Sequence, residues 1–266
     1  MNAGQRALRF ICEGSALVGI IDVPERPIQR GVLVVTGGPQ YRVGSHRQFA
    51  LMARALATSG VPVMRFDVRG MGDSEGEPRP FDDISADIGA AIEEFFRQIQ
   101  ELKEVVIWGL CDGATAAAFY AHTDQRVRGL VLLNPWVRTP EGAARATLRH
   151  YYLSRLGELE FWKKVASGNF QWGASASSLG NQLKLAAGDR DAALPQRMLA
   201  SLGCFEGQVL VVLSGDDLTA REFGDLMANN ELKARRVDIA HANHTFARRE
   251  WRDEVSELSA NWVMSW

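Results

Sequence analysis

Short apolar runs recur along the chain, each followed by a segment of a different period. GVLVVTGG (31–38), VPVMRFDV (61–68), EVVIWGL (104–110), VRGLVLLNP (127–135) and QVLVVLSG (208–215) are strand-length and nearly continuous in apolar residues. Strands of this kind are buried on both faces. Between and after them the period changes to that of a helix. Phe49, Met52, Ala53 and Leu56 fall at i, i+3, i+4 and i+7, one face of a helix. Ile84, Ile88, Ala91, Ile92 and Phe95 make a second such face, and Trp251, Val255, Leu258 and Trp262 a third. RRVDIA (235–240) reads as one more strand before that last helix. Strands alternating with helices predict an α/β fold, with a mostly parallel central sheet and helices on both faces.

Two stretches depart from this rhythm. RALRFICEG and SALVGIIDVP (6–24) meet at Glu13-Gly14 and read as a hairpin that adds an antiparallel edge. Residues 138–207 carry the aromatic clusters Tyr151, Tyr152, Phe161 and Trp162 and a Gly/Ser-rich piece, SGNFQWGASASSLG. We read 138–207 as an inserted helical cap, with 1–137 and 208–266 forming the core. Two helix starts carry capping-box spacing, Ser45 with Gln48 and Thr219 with Glu222.

Composition narrows the function classes. A chain of 266 residues can bury a full core without metal or disulfide support. Its three cysteines, Cys12, Cys111 and Cys204, are far apart, which argues against a disulfide framework or a thiolate zinc site. The formal net charge is −2, and Lys and Arg are scattered. Nothing in that pattern points to nucleic acid or to an anionic membrane. No stretch approaches a membrane-spanning apolar length, and MNAGQRALRFICEG lacks the basic and long apolar regions of a signal peptide. The expected location is the cytoplasm.

The chemistry is concentrated at strand ends. Gly109-Leu110-Cys111-Asp112-Gly113 follows one apolar run and opens an alanine-rich helix. This is the spacing of a nucleophile elbow, with cysteine in the central position. A nucleophile at such a turn points out at the carboxyl edge of the sheet, and the flanking glycines permit close packing. The helix N-terminus behind it favours negative charge. The alternative is a small buried thiol, common in cores. After the last strand stands HANHTF, with His244 the expected base and His241 the runner-up. The H-x-x-H pair has no evident third ligand, so a metal site is not expected. After VLVVLS come Asp216 and Asp217, and Asp217 is the expected orienting acid. The order nucleophile, acid, histidine is then complete.

TGGPQ (36–40) closes the first parallel strand. Gly38 and Asp112 are the expected main-chain donors to an oxyanion. Tyr41, His46 and Arg47 lie just past that turn and, with Tyr151 and Tyr152 of the cap, are candidates to line a substrate pocket. FDVRGMGDSEG (66–76) has glycines in the manner of a dinucleotide fingerprint. No helix opens directly behind them, because Glu77-Pro78-Arg79-Pro80 intervenes. No P-loop is present either, so no cofactor is expected.

The elbow, the GGP turn, the D-x-R-G-x-G-x-S segment (Asp67 to Ser74) and the terminal N-H-T-F together resemble the α/β-hydrolase superfamily. GGPQYRVGSHRQF, FDVRGMGDSEG, GLCDGA, LNPWVRT, SGDDLTAREF and HTFARREWRD resemble, more narrowly, the exosortase A system-associated hydrolases of type 1. That resemblance implies a bacterial α/β-hydrolase fold linked to exosortase and exopolysaccharide gene clusters. It maps the family's nucleophile, acid and histidine to Cys111, Asp217 and His244. Dienelactone hydrolases are similar in the cysteine nucleophile only. The chain departs from the broad superfamily at Thr36, where histidine is frequent, and in an acid loop one residue short, which keeps Asp216 and Asp217 both open. The expected activity is hydrolysis or acyl transfer on a small or carrier-bound ester or thioester through an acyl-cysteine. The alternative is a non-catalytic binding or scaffold protein on the same fold.

Overall fold

The structure is a computed structural model that describes residues 4–37, 40–138 and 194–266. Elements follow in the order β1 (Gly4–Cys12), β2 (Ser15–Val23), β3 (Arg30–Val35), α1 (Gln48–Thr58), β4 (Val63–Phe66), α2 (Ser85–Gln98), β5 (Glu104–Leu110), α3 (Asp112–Ala121) and β6 (Val127–Leu133). After the undescribed stretch come α4 (Leu194–Cys204), β7 (Gln208–Ser214), α5 (Leu218–Ala228), β8 (Arg235–Ile239) and α6 (Arg249–Met264).

The eight strands form one sheet in the order β1-β2-β4-β3-β5-β6-β7-β8. From β4 to β8 every pairing is parallel, whereas β1 with β2 and β2 with β4 are antiparallel. The leading hairpin turns at Glu13 and Gly14, with φ of 46° and 84°. Two positive φ values in a two-residue turn match the right-handed twist of the strands they join.

Alternate residues of each strand feed opposite faces. Leu33, Ile107, Leu132 and Val211 join one core with Ile88 and Phe95 of α2, Ala114 and Ala117 of α3 and Phe223 of α5. Val34, Trp108, Val131 and Val212 join the other with Phe49, Met52 and Leu56 of α1 and Val255 and Trp262 of α6. Side chains such as Phe95 and Phe223, both fully buried, contribute about 1.5–3 kcal/mol each. Two-sided burial is the physical reason these strands carry no polar alternation.

Helix α4 lies in the stretch read as inserted. It packs on α3, and its Met198 and Leu202 belong to the α2–α3 core. Residues 139–193 of that stretch, with Tyr151, Tyr152, Phe161 and Trp162, lie outside the described residues.

Both capping boxes are corrected. Residues Ser45–Arg47 form a short 3-10 turn in which His46 and Arg47 are left-handed, with φ of 52° and 61°, and α1 starts after it without a side-chain cap. Helix α5 is capped by Asp217, whose Oδ2 accepts the Ala220 N–H at 3.0 Å. Thr219 sits inside the first turn instead. A carboxylate two residues earlier both accepts that N–H and meets the positive end of the helix dipole.

The chain passes from β3 to β4 on one side and then crosses back to β5 on the other. Loops leaving the carboxyl ends of β3 and β5 therefore diverge, and a crevice opens there.

Candidate active site

Cys111 alone joins β5 to α3, with φ 58° and ψ −126°. A non-glycine residue there is strained, and persists only where its surroundings hold it. The Cys111 N–H donates to the Leu133 carbonyl at 2.9 Å. Its carbonyl accepts from Ala114 at 3.0 Å, Thr115 at 3.2 Å and Trp136 at 3.2 Å. Neighbouring backbone explains the two glycines. A Cβ on Gly109 would lie 2.6 Å from the Gly113 carbonyl oxygen, and one on Gly113 would lie 2.6 Å from that of Val35.

His244 arrives on the loop after β8. Its Nδ1 lies 2.8 Å from Asp217 Oδ2, and the Cys111 side chain is near enough to act on its pKa. The hydrogen bond to Asp217, followed by the influence of Cys111, pushes the imidazole pKa up to about 10 against the opposing effect of burial. Burial works against the Asp217 carboxylate. The hydrogen bond and charge of His244 outweigh it and hold the carboxyl below the usual range. The arrangement is a thiol, an imidazole and a carboxylate in line, with the imidazole favoured in its charged form.

The runners-up separate from this line. His241 Nδ1 is 3.9 Å from Asp216 Oδ2, and their side chains are 88% and 59% exposed. The Asp216 N–H donates to the Ala242 carbonyl at 2.9 Å, so its backbone ties the two loops together while its side chain faces solvent. His241 has φ 59°, a turn conformation that lets the chain reverse ahead of His244.

Gly38 lies outside the described residues. Its neighbour Gly37 runs so close to α3 that a Cβ there would strike the Asp112 carboxylate and the Gly113 nitrogen. The turn after β3 thus lies against the first residues of the helix that Cys111 precedes. The buried Thr36 hydroxyl has no hydrogen-bond partner among the described residues. Tyr41 is exposed, and the His46 carbonyl accepts from Arg252 Nη1 on α6 at 3.3 Å. No hydrogen bond among the described residues joins Tyr41, His46 or Arg47 to the line of three.

Two residues that the sequence did not point to as site residues lie beside this line, Asn134 and Glu222. Asn134, fully buried at the end of β6, has φ 43°. Its Nδ2 donates to Ser214 Oγ at 2.7 Å and to the His244 carbonyl at 2.9 Å, and its Oδ1 accepts the Ser214 N–H at 2.9 Å. One amide thus braces the ends of β6 and β7 against the histidine loop. In sequence, Asn-Pro reads only as a turn. Glu222 is the second. Burial raises its carboxyl pKa, with Arg138 opposing and Asp217 adding, and Arg138 Nε lies 3.3 Å from its Oε2.

A family model for the alpha/beta hydrolase fold matches residues 32–187, more than half of the chain. The chain belongs to the alpha/beta hydrolase family. No curated protein matches its sequence. Among solved structures, this hydrolase-family chain is similar to a dienelactone hydrolase from Anabaena variabilis, with 16% identity and a TM-score of 0.67, covering 100% of this chain and 99% of that one. It is similar to an esterase from Pyrococcus furiosus, with 15% identity and a TM-score of 0.70, covering 99% and 92%. It is also similar to Est1E from Butyrivibrio proteoclasticus, solved with ferulic acid bound, with 16% identity and a TM-score of 0.67, covering 97% and 98%. At these identities the likeness is one of fold.

Among the described residues, no group of three or more His, Cys, Asp or Glu side chains gathers as a metal ion needs. No helix of the described residues is long and apolar enough to cross a membrane.

Proposed function

We propose that this alpha/beta hydrolase is an acyl-transferring enzyme, an esterase or thioesterase, that works through a covalent acyl-cysteine. The observation that carries the reading is His244, hydrogen-bonded to Asp217 at 2.8 Å, with Cys111 on strained backbone near enough to raise its pKa. The Cys111 proton passes to His244, and the sulfur attacks the carbonyl carbon of an ester or thioester. Asp217 orients the imidazole and stabilises the imidazolium. Main-chain N–H groups of Gly38 and Asp112 receive the oxyanion, each donor worth on the order of 10²–10³ in rate. When the tetrahedral intermediate collapses, His244 gives its proton to the departing alcohol or thiol. The acyl group stays on sulfur until water, an amine or a thiol takes it, so hydrolysis and acyl transfer share every earlier step.

The finer reading completes this picture. Residues 138–207 form a cap over the site, and Tyr41, His46, Arg47, Tyr151 and Tyr152 border the acyl pocket. The resemblance of the motifs from GGPQYRVGSHRQF to HTFARREWRD supports a reading as an exosortase A system-associated hydrolase, acting in the cytoplasm on a small or carrier-bound acyl substrate. A scaffold protein would have no use for a histidine held by a carboxylate beside a cysteine on strained backbone.

Incubation with p-nitrophenyl acetate followed by peptide mass spectrometry tests the proposal. An acetyl group on Cys111 is expected, and none in Cys111→Ala. Folded wild-type protein that acquires no adduct on Cys111 overturns it.

A further inference from the structure

The segment from Asp67 to Ser74 contributes no member of the triad, yet its Asp67 and Arg69 are buried and paired. Asp67, at the carboxyl end of β4, is 0% exposed. Its Oδ1 accepts the main-chain N–H of Arg42 at 2.7 Å. Its Oδ2 pairs with the Arg42 guanidinium and accepts the Asp73 N–H at 3.1 Å. Arg42 Nη2 also reaches Asp73 Oδ2 at 2.7 Å. Ser74 Oγ donates to the Asp67 carbonyl at 2.7 Å and accepts the Val18 N–H at 2.9 Å. A side chain at Gly72 would strike the Asp67 carboxylate. The motif therefore builds a carboxylate socket rather than a phosphate cradle.

The other side of Arg42 is held as well. Its main-chain carbonyl accepts from Arg65 Nη1 at 2.9 Å. Arg65 is in turn paired with Asp22 at 2.9 Å, and both side chains are 1% exposed. Two buried charged residues, Arg65 on β4 and Asp67 at its end, thus grip the main chain of Arg42 at its carbonyl and its N–H. That loop is pinned at its start too, where Gly37 lies against α3. A buried ion pair adds little net stability over apolar packing of the same volume. What it supplies here is a fixed position for main chain that leads out of the turn beside Cys111.

We propose that Asp67, through Arg42, is a positioning residue that holds the loop after β3 where it leads out of the turn beside Cys111, and that acylation of Cys111 depends on that hold. This rests on the acyl-transfer reading. Acylation of Cys111 by an ester needs oxyanion donors, whereas alkylation by iodoacetamide needs the sulfur nucleophile alone. The two reactions therefore separate a misplaced loop from a damaged triad.

The variants are Asp67→Asn, which keeps volume and loses charge, and Arg42→Gln, whose side chain is 14% exposed and which keeps the socket testable if the first does not fold. Acylation by p-nitrophenyl acetate is expected to slow by about 10²-fold in each, the scale of a displacement near 1 Å. Cys111 alkylation by iodoacetamide is expected to stay at the wild-type rate, and Arg42→Lys to recover part of the loss. Hydrogen exchange in a peptide covering 36–44 is expected to quicken in both variants. A folded variant with wild-type acylation, an equal loss in both reactions, or unchanged exchange overturns the positioning role. Wild-type protein that is not acylated overturns the acyl-transfer reading instead, and loop exchange then decides the clamp by itself.

Discussion

Cys12 and Cys111 both end a strand of the same sheet, and their surroundings are opposite. Cys12 closes β1, is 4% exposed and stands beside Asp87 and Arg69. Burial, then the charge of Asp87, pushes its thiol up, with Arg69 opposing. Asp87 is already satisfied by Arg69, at 2.8 Å to Nε, so it holds the neighbouring thiol neutral. Cys111 is half-buried and stands on strained backbone before a helix, close to a histidine favoured in its charged form. A paired carboxylate stands beside one sulfur and a histidine beside the other.

That contrast can be broken by labelling. At neutral pH Cys111 is expected to react with iodoacetamide more than about 10²-fold faster than Cys12, which reacts only through local opening. The exposed Cys204 reports the rate of an ordinary thiol and should fall between them. In His244→Gln the Cys111 rate should drop to that of Cys204. Equal rates for Cys111 and Cys12 in wild-type protein, followed by peptide mapping, would dissolve the distinction.

Asn134 sharpens the same contrast from a distance. Asn134→Ala leaves the buried Ser214 N–H and the His244 carbonyl without this partner, at a cost of about 1–3 kcal/mol for each such group. Denaturant unfolding should show the loss in stability. Cys111 labelling should slow while Cys12 labelling, governed by opening, quickens. A variant in which both thiols keep their wild-type rates would remove Asn134 from the support of His244.

The smallest effect is in pH. The His244 pKa is raised in the fold, to about 10 from an ordinary value of 6.5. A raised pKa means that the folded state binds the proton more tightly. Its stabilising contribution is complete below the ordinary value and disappears as pH rises through the folded value. The difference in Tm between wild type and His244→Gln should therefore shrink as pH climbs from about 6.5 to about 10. A difference that is flat over that range would mean that the pair with Asp217 carries no net charge coupling.

Much of this was legible in the chain, for identifiable reasons. The strands were readable because two-sided burial removes polar residues from them, and the helices because only one face is apolar. The elbow was readable because two glycines must leave room for backbone, at Val35 and at Gly113 itself. Helix starts were read less well. Ser45 and Thr219 have the right neighbours for capping, but His46 and Arg47 adopt left-handed backbone and Asp217 occupies the cap two residues earlier. A glycine-rich stretch resembling a dinucleotide loop turned out to be a socket for Asp67, because Gly72 yields space to that carboxylate.

By itself the sequence determined the layers, the alternation of strand and helix, and the order of thiol, carboxylate and histidine along the chain. Those depend on local period and on spacing within a few residues. Only the tertiary structure showed that Asp217 pairs with His244 while Asp216 and His241 face solvent. It alone brought Asn134 to the histidine loop and Asp67 to Arg42. Such contacts join residues remote along the chain, and no local pattern records which strand ends the sheet will set side by side.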